Sequence, residues 1–337
     1  MLDKKFSKFA LDKIDFHQFS NKTILITGAS GLIGTNLLSY FDLLAARGLN
    51  FRLLAVTNSN SLPDCLQNKT WITEFHGDLS NDIFLAEIPP FDFLFHAAGY
   101  GQPGKFKLDP LKTIKLNTSV LLHLAGKLNM NGKAVFLSTS EVYSGSCEIP
   151  SSEDRLGTYS TNSDRSPYIE AKRCGEAIMY SLNQSGNRFG RSARVALAYG
   201  PGGQVNDVRV LNEFIISGLR NGFINVKDLG EAMRTYCYVD DAIDLIFWIL
   251  LHGTSDVYNV GGTSRVSISN LAELIASKLE VPFSLGASTN KDVTAPADVQ
   301  LDLTKIIEES RKDSFIPFNE GLDQTIHWYR ELLAGAH

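Results

Sequence analysis

The feature that most constrains this chain is a strand, a glycine-rich turn and a helix near its beginning. Five β-branched or aliphatic residues at 23–27 precede Gly28, Gly31 and Gly34, and an apolar periodic stretch follows as far as Tyr40. Glycines at such a junction permit a tight turn, a close approach of the backbone to a pyrophosphate, and close packing of helix on strand. The pattern therefore favours a dinucleotide-binding turn over a glycine-rich turn that is only structural.

Strand-like and helix-like patterns alternate after this turn. A long helix is predicted at 168–183, and short apolar runs predict further strands at 51–56, 73–76, 93–96, 134–138 and 194–198. Strands that alternate with helices pair in parallel through right-handed crossovers, and their ligand lies at the carboxyl ends of the strands. The predicted fold class is α/β, a doubly wound parallel Rossmann sheet with a smaller C-terminal substrate-binding lobe.

The 337 residues divide into three predicted parts. Residues 1–20 are predicted to be a loosely attached extension, 21–198 the dinucleotide-binding domain, and 199–337 the substrate-binding lobe with segments that return to the sheet. Amphipathic patterns predict helices in this lobe at 211–219, 268–279 and 320–333.

Composition excludes several classes of function. The chain has 32 Lys and Arg against 37 Asp and Glu, a net charge of −5, so nothing favours nucleic acid or an anionic membrane as a partner. No apolar run approaches the roughly 18 residues of a spanning helix, residues 1–20 lack the apolar core of a secretory signal, and we expect a cytoplasmic protein. The four Cys form no CxxC pair and the seven His show no ligand spacing, so we expect no metal site.

The cofactor end of the predicted site lacks one expected residue. A ribose-binding acid is expected about 20 residues after the glycine-rich turn, at the end of the second strand, but the sequence at 55–60 is Ala-Val-Thr-Asn-Ser-Asn. No Arg follows to take a 2′-phosphate. We therefore expect NAD with NADP still open, and Thr57 and Asn58 are the candidate contacts. Asp78, followed by Leu79, is a candidate for the adenine edge, with a solvated turn as the alternative.

A second pattern supplies groups for proton transfer. Tyr168 and Lys172 are four residues apart in a helical stretch, so both side chains lie on one face. An ammonium one turn away is expected to lower the pKa of the tyrosine and make it a base near neutral pH. The run Leu-Ser-Thr-Ser-Glu-Val-Tyr at 137–143 ends the fifth strand, where a parallel sheet presents its ligand, and it adds hydroxyls and a carboxylate.

These motifs together resemble the extended short-chain dehydrogenase/reductase family of nucleotide-sugar enzymes. Segments 109–118 and 138–143 are most similar to the corresponding motifs of UDP-glucuronate decarboxylases. The resemblance implies an NAD-dependent enzyme that oxidises C4 of a nucleotide sugar to a 4-keto intermediate. It also implies a homodimer that pairs through the helical stretches at 111–128 and 168–182.

The resemblance assigns roles residue by residue. Thr139 and Tyr168 would contact the substrate 4-hydroxyl, Lys172 would tune Tyr168 and hold the nicotinamide ribose, and Glu141, beside Ser140, would act near C5 and C6. Residues at the carboxyl ends of the strands and on two neighbouring helices would contact the cofactor: Gly28, Gly31, Leu32, Ile33, Gly34, Thr57, Asn58, Asp78, Leu79, Ala97, Ala98, Gly99, Asn117, Tyr168 and Lys172.

Four residues are candidates for the substrate. Arg209 and Arg234 resemble the family's nucleotide-binding positions, and a guanidinium suits a diphosphate because it offers fixed bidentate donors; the alternative is a surface Arg. Gln102 and Lys105 lie in the segment 99–106, which is either a sugar-facing loop or a simple Gly/Pro loop.

The sequence also departs from the family pattern. Ser140 stands where dehydratases carry an acidic Asp, which argues against 4,6-dehydration and for decarboxylation or plain C4 redox chemistry. Leu197 replaces a usual substrate-binding Asn, and the segment 293–298 lacks the Arg of the decarboxylase motif. The function is therefore predicted as decarboxylase-like, with a 4-epimerase, a 4,6-dehydratase or a C4 dehydrogenase as alternatives. A non-catalytic cofactor-sensing protein is the alternative from another class.

Overall fold

The computed structural model describes residue 2 and residues 4–184, 186–287 and 298–335. Thirteen strands are assigned in this part of the chain: β1 Thr23–Thr27, β2 Arg52–Thr57, β3 Ile72–His76, β4 Phe91–His96, β5 Leu128–Thr139, β6 Phe189–Val195, β7 Ala198–Tyr199, β8 Ile224–Val226, β9 Met233–Tyr238, β10 Val257–Val260, β11 Ser264–Ser267, β12 Phe283–Leu285 and β13 Asp298–Val299.

The same residues contain thirteen α-helices and two 3₁₀ turns at Phe16–Phe19 and Ser140–Tyr143. The helices are α1 Lys8–Lys13, α2 Leu32–Ala46, α3 Asp64–Gln67, α4 Asp82–Glu87, α5 Pro103–Leu108, α6 Pro110–Asn117, α7 Ser119–Lys127, α8 Ser166–Gln184, α9 Val210–Asn221, α10 Val239–His252, α11 Ile268–Leu279, α12 Thr304–Ser310 and α13 Phe318–Leu333. None of the described helices is long and apolar enough to cross a membrane.

The main sheet has seven strands in the order β10-β6-β5-β4-β1-β2-β3, and every neighbouring pair is parallel. This order confirms the predicted doubly wound Rossmann sheet, because the strand order reverses beside β1. Side chains alternate across β1: Ile24 and Ile26 join one apolar layer with Phe41, whereas Leu25 joins the opposite layer with Leu121. Both faces are therefore covered, as a parallel sheet requires.

The C-terminal half contributes to two regions. Strands β7, β9, β11 and β13 form a small separate sheet, and β8 pairs with β12 beside helices α9 and α11. Helix α10 and strand β10 instead return to the main sheet, where β10 pairs with β6. The division of the chain at residue 198 stays a prediction.

The sixth predicted strand, 194–198, is wrong in its bounds. β6 ends at Val195, and Ala198–Tyr199 pairs with β9 in the small sheet. Leu197 lies between them with a φ of +40°. A left-handed residue turns the chain out of the extended conformation, so the strand cannot continue through it.

The prediction of a loosely attached N-terminal extension is also wrong. Helix α1 is capped by the Ser7 hydroxyl, which accepts a hydrogen bond from the Ala10 amide, and Phe19 is fully buried. The Phe19 ring contacts Phe41 and Phe93 at centroid distances of 5.2 and 4.8 Å. The phenylalanines of this segment pack on the apolar layer. The free energy gained by burying their rings outweighs the cost of ordering the polar residues between them.

Candidate functional site

A single cavity of about 810 Å³ joins the glycine-rich turn, the end of β5, helix α8 and the C-terminal lobe. Its volume is within the usual range for small-molecule and cofactor sites. It opens at the carboxyl ends of the parallel strands, where the sequence predicted a ligand.

The glycine-rich turn forms a cradle that side chains would fill. Gly28 has a φ of +67°, and a Cβ there would lie 2.7 Å from the Ala97 carbonyl oxygen. A Cβ on Gly34 would lie 2.2 Å from the Gly28 carbonyl oxygen. Helix α2 begins after Gly31, which has no side chain to cap it, so the first amides of the helix are available to an anion. These residues fit a dinucleotide pyrophosphate.

The predicted cofactor contacts lie around this cradle. All of them line the cavity except Asn117, which lies directly behind the lining. Asn117 is fully buried, its Nδ2 donates to the Thr113 carbonyl at 2.7 Å, and its Oδ1 has no partner within the described chain. That oxygen lies 3.3 Å from the place where a Cβ on Gly99 would stand. A buried, unpaired acceptor beside the cavity fits a role in supporting a ligand.

Asp78 is already engaged by protein groups. Its carboxylate accepts hydrogen bonds from Lys112 Nζ at 2.6 Å and from the Ser80 amide at 2.9 Å. Although partial burial raises the pKa of Asp78, the bonds from Lys112 and Ser80 outweigh it and hold the pKa below its ordinary value. The carboxylate is therefore ionised and fixed at the edge of the cavity.

The structure brings Thr139, Tyr168 and Lys172 together. Thr139 ends β5, whereas Tyr168 and Lys172 lie one turn apart on α8, and all three line the cavity. The Tyr168 ring is stacked on Phe106 with a centroid distance of 4.6 Å and an interplanar angle of 2°. Lys172 Nζ lies 5.8 Å from the Tyr168 ring centroid and donates to the Leu137 carbonyl at 2.6 Å. Sequence reasoning missed Phe106, because its approach to Tyr168 depends on how α5 packs on α8.

The prediction that Lys172 lowers the pKa of Tyr168 is wrong for this structure. Burial raises the pKa of the Tyr168 hydroxyl above its ordinary value, and the negative charge of Glu141 raises it further, against a hydrogen bond with Thr139 that lowers it. Burial also lowers the pKa of Lys172 to about 7, against the charge of Glu176. A desolvated ammonium loses its proton more easily, so Lys172 is only partly charged at neutral pH and stabilises a phenolate less.

An ion pair that the sequence did not reveal holds Glu141. Arg165 Nε donates to one carboxylate oxygen of Glu141 at 3.0 Å and an Arg165 terminal nitrogen donates to the other at 2.7 Å. Both side chains are largely buried, 8% and 19% exposed. No spacing in the sequence signalled this pair, because Arg165 and Glu141 lie 24 residues apart and meet through the packing of separate elements.

Arg234 completes a group of charges at this end. It lines the cavity, and burial is the main cause that lowers its pKa from the ordinary value of an arginine. The charge of Arg165 lowers that pKa further, whereas Glu141 opposes the effect. Tyr236 and Asp298 oppose the shift more strongly than Glu141 does, so two guanidinium groups and two carboxylates act on each other near the wall of the cavity. Ser140, at the start of the same 3₁₀ turn as Glu141, also lines it.

The other substrate candidates have different surroundings. Gln102 and Lys105 line the cavity, and the predicted loop is partly helical because α5 begins at Pro103. Arg209 is held by Asp207, whose two carboxylate oxygens each accept from Arg209 Nε at 3.0 Å. Leu197, in its left-handed conformation, also lines the cavity. In the segment where the decarboxylase Arg is missing, residues 293–297 lie outside the described residues.

Comparison with known proteins places the chain in a class of enzymes. The model of the NAD dependent epimerase/dehydratase family matches residues 24–261. The chain belongs to this family, which confirms the predicted class of enzyme and NAD as its cofactor.

Individual relatives carry several reactions. UDP-glucuronic acid decarboxylase 6 from Arabidopsis thaliana is 29% identical over 307 residues, which are 90% of this chain and 87% of the relative. A UDP-glucose 4-epimerase structure from Thermotoga maritima superimposes with a TM-score of 0.79 at 22% identity, over 92% of this chain and 99% of the other. A dTDP-glucose 4,6-dehydratase from Streptomyces venezuelae, solved with NAD, gives 0.78 at 19% identity, over 93% and 98%. The two structural likenesses show the fold and leave the reaction open.

Proposed function

We propose that this protein oxidises C4 of a nucleotide sugar and that its reaction is the decarboxylation of a nucleotide-linked hexuronic acid. The observation that carries the proposal is the convergence of Thr139, Tyr168 and Lys172 beside the glycine cradle in one cavity. The decarboxylases among the relatives support the choice of reaction. A nucleotide sugar of the UDP type is the expected substrate.

The chain's own residues account for the proton at C4. Tyr168 and Thr139 hold the 4-hydroxyl, and Lys172 orients the group behind it. As hydride leaves C4, Tyr168 takes the 4-hydroxyl proton in its phenolate form, which the positive charge of bound oxidised nicotinamide would favour against the burial that disfavours it. Nicotinamide bound in the cavity supplies the chemistry of accepting that hydride and returning it. Stacking on Phe106 holds the Tyr168 ring in one orientation, so the hydroxyl stays aimed at the reacting carbon.

The ketone at C4 makes the next step possible. When the C5–C6 bond breaks, its electron pair passes through C5 to the C4 ketone oxygen and carbon dioxide leaves. The resulting enol takes a proton at C5, and return of the hydride to C4 completes a redox-neutral reaction. No oxidant or reductant is consumed overall.

The charges at the sugar end support a carboxylate substrate. Arg234 offers donors to a C6 carboxylate, and Glu141, in an ion pair with Arg165, would favour loss of a neighbouring carboxylate as neutral carbon dioxide. Ser140 supplies no acidic proton for a leaving 6-hydroxyl, which argues against dehydration. These features together favour decarboxylation over the other reactions of the family.

We also propose a homodimer and a cytoplasmic location. Large apolar side chains are exposed on α6, α7 and α8, including Leu111 at 79%, Leu122 at 62% and Tyr180 at 52%. Such a surface is unusual unless a partner covers it. A cytoplasmic location follows from the sequence-based expectation alone.

The test is incubation of the purified protein with NAD and a panel of UDP-glucuronate, UDP-glucose and dTDP-glucose, with products identified by mass spectrometry. We expect loss of carbon dioxide from UDP-glucuronate only. Tyr168→Phe is the control, and we expect it to lose turnover by at least about 1,000-fold while it still binds NAD. Epimerisation or dehydration of another sugar would be consistent with oxidation at C4 but would contradict the proposed decarboxylation. Unchanged turnover of Tyr168→Phe would contradict the proposed role of Tyr168 in proton transfer.

A further inference from the structure

The carboxyl end of β2 is the place where the dinucleotide-binding pattern requires an acid. Thr57, the last residue of β2, stands there, is 1% exposed and lines the cavity. Its hydroxyl donates a hydrogen bond to Glu74 Oε1 at 2.5 Å. A carboxylate therefore lies directly behind this position, although it comes from the next strand and stands outside the cavity lining.

The sheet register explains how Glu74 reaches Thr57. In the parallel pairing of β2 with β3, Ala55 lies beside Glu74 and Thr57 beside His76. Residues two apart on a strand point to the same face, so Thr57, Glu74 and His76 share one side of the sheet. His76 Nδ1 lies 3.0 Å from the Thr57 hydroxyl oxygen. The parallel pairing thus builds a small polar cluster at the end of two adjacent strands.

The Glu74 carboxylate is held in place without losing its capacity to bind. The Leu62 amide donates to the same Oε1 at 2.9 Å, so the bonds from Thr57 and Leu62 both end on one oxygen and neither uses Oε2. The Glu74 side chain is 21% exposed. The Glu74 carboxylate is partly shielded from water, and two donors fix its orientation. A carboxylate fixed in this way loses little entropy when it interacts with a ligand nearby.

The charges near this cluster differ from those in the rest of the cavity. The lining segment 57–60 contains Thr, Asn, Ser and Asn, with no Lys or Arg. The lysines and arginines that line the cavity within the described chain lie in other segments: Lys105, Arg165, Lys172, Arg209 and Arg234. A 2′-phosphate at the end of β2 would therefore lie near the Glu74 carboxylate and be repelled by it. A 2′-hydroxyl would instead find an acceptor.

We infer that Glu74, acting with Thr57, replaces the missing ribose-binding acid and makes the site selective for NAD over NADP. The inference rests on the proposed function only in that a nicotinamide dinucleotide occupies the cavity. The inference assigns the selectivity for NAD over NADP to Glu74 on β3 rather than to a residue of β2. A single substitution of Glu74, far along the sequence from the glycine-rich turn, should therefore change that selectivity.

The test measures binding rather than turnover. Isothermal titration calorimetry with NAD and with NADP gives two dissociation constants for each of the wild type, Glu74→Gln and Thr57→Val. Glu87→Gln, an exposed carboxylate on α4 outside the cavity, is the matched control. We expect the wild type to bind NAD at least about 50-fold more tightly than NADP, because the Glu74 carboxylate lies one hydrogen bond behind Thr57, which lines the cavity at the end of β2.

Glu74→Gln keeps the acceptor for Leu62 and Thr57 but removes the charge. We therefore expect it to reduce the ratio of the NADP dissociation constant to the NAD dissociation constant about tenfold, chiefly through tighter NADP binding. Thr57→Val should weaken NAD binding, and Glu87→Gln should change neither constant. Equal binding of NAD and NADP by the wild type, or an unchanged ratio in a folded Glu74→Gln, would overturn the inference. A ratio that moves in His76→Asn but not in Glu74→Gln would also overturn it. Failure of the wild type to bind either nucleotide would remove the proposed function as well.

Discussion

At the scale of single residues, the site depends on polar groups that the fold has removed from water. Lys172 and Tyr168 are both buried, and burial shifts both pKa values toward the uncharged form. Glu141 lies beside them, and Arg165 binds both of its carboxylate oxygens. Pairing with Arg165 offsets the cost of burying the Glu141 carboxylate. At Lys172 the lowered pKa reduces the cost of burial instead, because the neutral amine is easier to bury than the ammonium.

Burial of Lys172 predicts a pH dependence of stability. Its pKa is about 7 in the fold and near 10.5 in the unfolded chain, so between these values the unfolded state binds one more proton. The free energy of unfolding should therefore rise with pH, by about 2 kcal/mol between roughly pH 7 and pH 9. Lys172→Met should lose this rise, whereas Lys22→Met, an exposed substitution, should keep it. Urea unfolding at several pH values measures the difference, and parallel curves for wild type and Lys172→Met would contradict it.

At the scale of elements, a charged network joins β5, α8 and β6 behind the site. Glu176 on α8 accepts from the Ser138 hydroxyl at 2.5 Å and from Arg194 Nε at 2.9 Å, and Arg194 also donates to the Tyr143 hydroxyl at 2.8 Å. The strand that carries Thr139 is thus tied to the helix that carries Tyr168. Such a network holds catalytic groups in register because Glu176, Arg194 and Tyr143 each have two or more partners.

The N-terminal segment is another structural element, and its packing predicts a stability effect. Phe19 is completely buried between Phe41 and Phe93, so Phe19→Ala leaves a cavity and should lower the free energy of unfolding by about 3–5 kcal/mol. Leu11→Ala, on the exposed face of α1, should cost less than about 0.5 kcal/mol. Denaturant titration of both variants is the measurement. Equal, small effects would restore the interpretation of this segment as a loose extension.

At the scale of the whole molecule, the exposed apolar surface of α6, α7 and α8 predicts self-association. Leu111→Glu places a charge in the proposed two-fold interface, so we expect it to convert the dimer to a monomer. Ile83→Glu is a matched control, because Ile83 is 78% exposed on α4. Light scattering at micromolar concentration measures the mass. A monomeric wild type, or a dimer that survives Leu111→Glu, would contradict the proposed interface.

The sequence was sufficient for features that depend on near neighbours along the chain. The strand, glycine-rich turn and helix at 23–46, and the spacing of Tyr168 and Lys172 on one helical face, follow from short-range steric rules and helical periodicity. The exact end of β6 was not recoverable in this way. It depends on the left-handed Leu197, a conformation that Leu rarely adopts and that tertiary contacts impose.

The sequence by itself therefore determined the parallel α/β sheet, the glycine-rich turn between strand and helix, and the placement of Tyr168 and Lys172 on one helical face, because each has a local pattern. Only the tertiary structure decided that Glu74 supports Thr57 and that Arg165 holds Glu141, in pairs 17 and 24 residues apart. The same holds for the N-terminal segment, whose Ser7 hydroxyl donates to Asp244 across 237 residues. The physical reason is that such contacts depend on sheet register and on the packing of distant elements, which local periodicity does not encode.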